Sequence, residues 1–175
     1  MRPLLFDRSR DCNPCLFRPR YGMTKATVLF IAHAPSPNTL ALRDAACVSI
    51  TRDSDVRLIT KSPFDCTHED ALAADGIIIG TTENIGAMAG ATKDFFDRSY
   101  NQLLDVTAGK PVAVYIRAGL DGTGTKLGVS AIITGLRWRL VADPLILKGE
   151  WQDDFTDAAA ELALTLAAGV ELGLY

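Results

Sequence analysis

Thr81, Thr82, Glu83 and Asn84 stand together in the chain: two hydroxyls, a carboxylate and an amide, followed by Ile85 and by Gly86, which allows a close backbone approach. Ordinary turns between a strand and a helix are short, so a stretch this long and this polar is suited to holding a ligand. A second set, His33, Ser36, Asn38 and Thr39, lies around an S-P-N-T run. Ser36 followed by Pro37 is an N-cap and first-turn pair. A helix that starts directly after a strand presents unpaired N–H groups and a positive dipole end, a setting for phosphate; the same run also describes an ordinary capped helix. A third set is glycine-rich: Arg117, Ala118, Gly119 and Gly122 lie in RAGLDGTGT, whose backbone amides could come close to a planar ligand.

The elements that must carry these groups can be read from periodicity. Thr27 to Ala32 forms a first apolar strand, followed by a helix after Ser36. Asp55 to Thr60 alternates as a second strand, and Thr67 to Asp70 has the form of a capping box opening a short helix, with His68 as a surface residue of that helix start. Ile77-Ile78-Ile79 between Gly76 and Gly80 is a strand buried on both faces, ending at Gly80. From Met88 the apolar spacing through Ala91, Phe95, Ser99 and Leu103 turns helical. Val112 to Ile116 is a fourth strand, with a helix over about 126–134. Trp138 to Leu147 gives a fifth, interrupted by Pro144 as an edge strand can be, and a closing amphipathic helix runs from Asp153 to Leu172. Strands alternating with helices predict a doubly wound α/β sheet of five parallel strands with helices on both faces. Ligands of such sheets bind outside the carboxyl ends of the strands, where the three polar sets fall.

The run GTTENIGAMAGATKDFFDR resembles the flavin loop and following helix of the flavodoxin-like superfamily, specifically the small flavodoxins and NAD(P)H-dependent FMN reductases, which read G-T-P-x-x-x-G-x-x-x-G-x-x-K-x-F-x-D-R. Gly80, Thr81, Gly86, Gly90, Lys93, Phe95, Asp97 and Arg98 match, while Thr82 replaces the proline and the loop lacks an aromatic. The resemblance covers Lys25 to about Glu171. It implies strand order 2-1-3-4-5 and FMN, with phosphate near residues 33–39 and the ring between 81–88 and 117–123. Arg117 would then be a cation near the reduced ring. The activity implied is electron transfer from NAD(P)H to a quinone, flavin or other small acceptor. The alternatives are a flavodoxin-type electron carrier and a relative that has lost FMN and serves as an interaction protein. A homodimer or homotetramer is the assembly such reductases suggest.

Competing readings are weaker. Neither G-x-G-x-x-G nor G-x-x-x-x-G-K-[ST] occurs in the first loop, and His33-Ala34-Pro35 stands where a phospho-accepting receiver domain needs acidic residues. The chain has 175 residues and a net charge of −3, which gives no reason to expect nucleic acid or an anionic membrane as partner. Residues 1–22 carry Arg2, Arg8, Arg10, Arg18 and Arg20 against Asp7 and Asp11, a local +3 that leaves −6 on the rest. We expect a dispensable irregular arm over 1–22 and one domain over 23–175. Cys12 and Cys15 in that arm, with Cys47 and Cys66, lack metal-ligand spacing and read as free thiols of an intracellular, cytoplasmic chain. No catalytic side chain and no metal ligand is assigned.

Overall fold

The computed structural model describes residues 25–175; the expected arm and the Cys12 and Cys15 pair lie outside them. In chain order the elements are β1 (Thr27–Ala32), α1 (Pro37–Asp53), β2 (Arg57–Lys61), α2 (His68–Ala73), β3 (Gly76–Asn84), β4 (Ala87–Met88), α3 (Gly90–Leu103), β5 (Pro111–Ala118), α4 (Thr123–Gly135), β6 (Arg139–Leu140), β7 (Leu145–Lys148) and α5 (Asp154–Leu172).

The sheet runs β2-β1-β3-β5-β6, with β7 also parallel to β5 and β4 antiparallel to β3. This is the expected doubly wound order, with β5 as the fourth strand. Several boundaries differ from the sequence reading: β2 lies at Arg57–Lys61, β5 extends over Pro111–Ala118, α3 starts at Gly90 and α4 at Thr123, and two further differences change the sheet itself. The fifth strand is split: β6 pairs with the start of β5 and β7 with its end, and after Val141, whose N–H still reaches the Val112 carbonyl, Ala142 to Pro144 leave the sheet, proline supplying no ladder donor. The third strand continues past Gly80 to Asn84 and turns back through Ile85 and Gly86 as a hairpin with β4.

One apolar cluster packs α2, α3 and α4 against Leu29, Ile31, Ile77, Ile79, Val114 and Ile116. The other packs α1 and α5 against Val28, Phe30, Ile78, Ala113 and Tyr115. Alternate residues of each central strand thus enter opposite cores, as a sheet covered on both faces requires. Fully burying an Ile, Leu or Phe side chain contributes roughly 1.5–3 kcal/mol, so these clusters fix the strand ends that carry the polar loops.

Thr67 opens α2 as read: its hydroxyl accepts from the Asp70 N–H, and its own N–H donates to the Asp70 carboxylate at 2.9 Å. His68 sits in this first turn, 3.3 Å from Glu69. Lys110 Nζ donates to the carbonyls of Ala71 and Leu72 and so closes the other end of α2. Cys47 and Cys66 are free thiols, and burial pushes Cys66 up to about 12, which leaves it chemically quiet. No helix among the described residues is long and apolar enough to cross a membrane.

Candidate functional site at the carboxyl edge of the sheet

The first loop, between β1 and α1, is anchored from below: the His33 N–H donates to the Gly80 carbonyl at 2.8 Å. Ser36 caps α1 in a reciprocal box with Thr39. The Ser36 N–H donates to Thr39 Oγ1 at 2.9 Å, Thr39 Oγ1 donates to the Ser36 carbonyl at 2.9 Å, and Ser36 Oγ accepts from the Thr39 N–H at 3.4 Å. Thr39 is buried by this role and Asn38 is exposed. Pro35 and Pro37 carry no N–H. The amides of Ala34 and Asn38 therefore remain without an intramolecular acceptor among the described residues, beside the Asn38 side chain and the start of a 17-residue helix. That donor set fits a phosphate, through backbone and amide groups more than through hydroxyls. His33 is half-buried, and burial lowers its pKa below the ordinary histidine value, so near neutrality the imidazole contributes no charge.

In the second loop Thr81 and Thr82 are strand residues, both buried. Thr81 Oγ1 meets Thr92 Oγ1 of α3 at 2.8 Å, and the Thr82 hydroxyl donates to Asn84 Oδ1 at 2.7 Å. Ile85 and Gly86 turn the hairpin with φ of 53° and 73°. Left-handed backbone is unfavourable for a β-branched residue, and Ile85 is also fully exposed. Glu83, paired with Met88 across the hairpin, sends its carboxylate to the third loop: Oε2 accepts from the Leu120 N–H at 2.7 Å and Oε1 from the Gly122 N–H at 3.3 Å.

The third loop turns into α4 through Gly122, which caps the helix with φ 73°. Asp121 Oδ1 accepts from the Thr123 N–H at 2.9 Å, which keeps its carboxyl below the usual range. Ala118 is buried, and a side chain at Gly119 would meet open space. Arg117 points elsewhere: its guanidinium donates to the carbonyls of Ala118, Leu147 and Gly149 and lies 5.5 Å over the Phe155 ring. Its cation therefore staples the end of β7 to β5 on the α5 side.

The predicted residues thus gather at one edge. Glu83 and Gly122 are directly linked by a hydrogen bond, Thr81 and Thr39 are structural, and Arg117 serves the sheet edge. Reading the sequence by loops missed Leu120 and Asp121, although D-G-T ahead of a helical pattern is a capping signal. It also missed a 320 Å³ cavity on the β2 side of the first loop, bordered by Pro35, Arg43, Lys61, Ser62 and Phe64. The two cations there are already paired, Arg43 with Asp44 at 2.7 Å and Lys61 with Asp70 at 2.8 Å.

No family model matches the chain. It is 28% identical over 114 residues to a flavodoxin from Aquifex aeolicus (strain VF5), a match spanning 65% of this chain and 60% of that protein, less than two thirds of its length. In structure it is similar to a flavodoxin from the domain Archaea, with a TM-score of 0.69 at 19% identity, covering 84% of this chain and 99% of that one. It is also similar to a WrbA-like flavodoxin from Agrobacterium tumefaciens, with a TM-score of 0.61 at 15% identity, over 84% of this chain and 98% of that one.

Proposed function

We propose that this chain, a member of the flavodoxin-like superfamily, binds FMN at the carboxyl edge of its sheet and works as an NAD(P)H-dependent oxidoreductase passing electrons to a quinone, flavin or other small acceptor. The observation that carries the enzyme reading is the character of the second and third loops. Their exposed apolar side chains, Ile85 and Leu120, are aliphatic, and no aromatic stands in either loop to cover a flat ring. A ring bound there would keep a face open to a nicotinamide.

FMN, when bound, supplies one- and two-electron redox chemistry. The chain's own contribution is placement. The start of α1, with the amides of Ala34 and Asn38 and the Asn38 side chain, would hold the phosphate, the helix dipole favouring its charge. The hairpin of β3 and β4 and the 119–122 loop would border the ring, and no side chain there is assigned as an acid or base.

A flavodoxin-type carrier that docks on protein partners is the second reading, favoured by the name of the Aquifex aeolicus relative. The deciding experiment is the visible spectrum of the protein after saturation with FMN and desalting, then anaerobic addition of NADH or NADPH. Retained flavin bands that bleach on mixing support the oxidoreductase and identify the donor. Retained bands that persist support the carrier. Loss of all flavin, with no binding on titration, removes both.

A further inference from the structure

Glu83 lies on one side of the candidate ring site and its carboxylate is bound to the other, joining positions 37 and 39 residues apart. This bond does not hold the hairpin in place, because the hairpin is seated on α4 by backbone packing. A side chain on Gly124 would run into the Gly86 carbonyl, and one on Gly128 would press on the Met88 methyl at 3.1 Å. What the carboxylate fixes is the 119–122 loop. It takes the amides of Leu120 and Gly122, while Asp121 takes that of Thr123. The intervening amides, Gly119 and Asp121, donate to no other residue among those described, and Gly119 faces open space. A short loop with glycines at both ends would sample many conformations; two bonds to a charged acceptor select one of them.

We propose that Glu83 is a positioning residue: by occupying alternate amides of the 119–122 loop it presents the Gly119 and Asp121 amides as a ready pair of donors to the carbonyl-bearing edge of a planar heterocycle. The proposal rests on the FMN reading above. Glu83 touches the loop and not the ligand, so its effect is on ring affinity through preorganisation.

The test compares wild type, Glu83→Gln and Glu83→Ala, with Ser36→Ala as a control at the phosphate end. Titrations use both FMN and riboflavin, which share the ring and differ in the phosphate. Glu83→Ala should weaken both ligands by about tenfold, the change that loss of a charge-assisted hydrogen bond corresponds to. Glu83→Gln, which keeps one acceptor oxygen, should recover part of that loss, while Ser36→Ala should affect FMN more than riboflavin. Hydrogen exchange on the flavin-free proteins gives a second readout: the Leu120 and Gly122 amides should be protected in wild type and exposed in Glu83→Ala, with the rest of the sheet unchanged. Equal flavin affinity in wild type and Glu83→Ala, or unprotected amides in wild type, overturns the proposal. If wild type protects these amides but binds neither flavin, the FMN reading fails and the ligand role of Glu83 fails with it, while the loop contact itself stands.

Discussion

Tyr115 lies across Gly80. The two are register partners on neighbouring strands β5 and β3, and a Cβ built on Gly80 would collide with the phenol ring and its hydroxyl. The ring is buried, edge-on to Phe30 with centroids 6.0 Å apart, and the same Gly80 accepts the hydrogen bond that anchors His33. A glycine in the middle of a buried strand therefore serves both the α1 core and the floor of the first loop. Gly80→Ala should destabilise the fold by roughly 1–3 kcal/mol, as overpacking does. Combining it with Tyr115→Leu should cost less than the two single changes together, because the collision is removed. Urea denaturation of the four proteins of that cycle measures the coupling; strict additivity would mean that the ring is not the obstacle.

Thr81 and Thr92 form a pair of buried hydroxyls joining β3 to the first turn of α3. Removing one leaves the other without a partner in a dry setting, so Thr81→Val and Thr92→Val should each cost about 1–3 kcal/mol. The double substitution places two methyl-bearing surfaces together and should restore most of the loss. A double-mutant cycle by chemical denaturation checks this, and a double variant as unstable as the sum of the singles would show that the hydroxyls act separately.

Much of this architecture was legible because it rests on strong local signals. The Ile77-Ile78-Ile79 run, the Ser36-Pro37 cap and the Thr67 box each state their structure within a few residues. What was not legible depends on partners distant in sequence or on backbone strain. β3 runs four residues beyond Gly80 because its ladder with β5 continues as far as Thr82 and Arg117 and its pairing with β4 adds Glu83 and Asn84, pairings that no local pattern announces. The hairpin turn is hidden because Ile85 stands at a left-handed position where asparagine or glycine is usual. Arg117 has the look of a loop cation, yet the carbonyls that hold it belong to residues up to 32 positions away. The link from Glu83 to the third loop is of the same kind, and the hydroxyls of Ser36 and Thr39, read as phosphate donors, turn out to satisfy each other.

The split edge strand depends on Arg117. Its guanidinium bridges carbonyls on both sides of the β5–β7 seam and covers Phe155 of α5. Arg117→Ala should lower stability by about 1–3 kcal/mol through the loss of charge-assisted hydrogen bonds and of the stacked contact. Arg117→Lys should recover little, since an ammonium reproduces neither the planar fork nor the stacking. The loss should appear in amide exchange at β7 before it appears in β1 and β3. Normal β7 protection in Arg117→Ala would show that the strand holds without it.

His33 gives the fold a pH dependence that can be separated from that of its carboxylates. Burial lowers the pKa of its imidazole below the ordinary value of 6.5. As pH falls through 6.5 the unfolded chain takes up a proton that the folded chain still refuses, so the unfolded state binds more protons and stability declines. The contribution is fully present above pH 6.5 and is lost on the way down to the folded pKa. The urea midpoint should therefore begin to drop as pH falls through 6.5, above most carboxylate titrations. His33→Gln keeps a polar side chain of similar reach without a titrating group, and its midpoint should be flatter across the same range. A slope in His33→Gln equal to that of wild type would assign the pH dependence to another group.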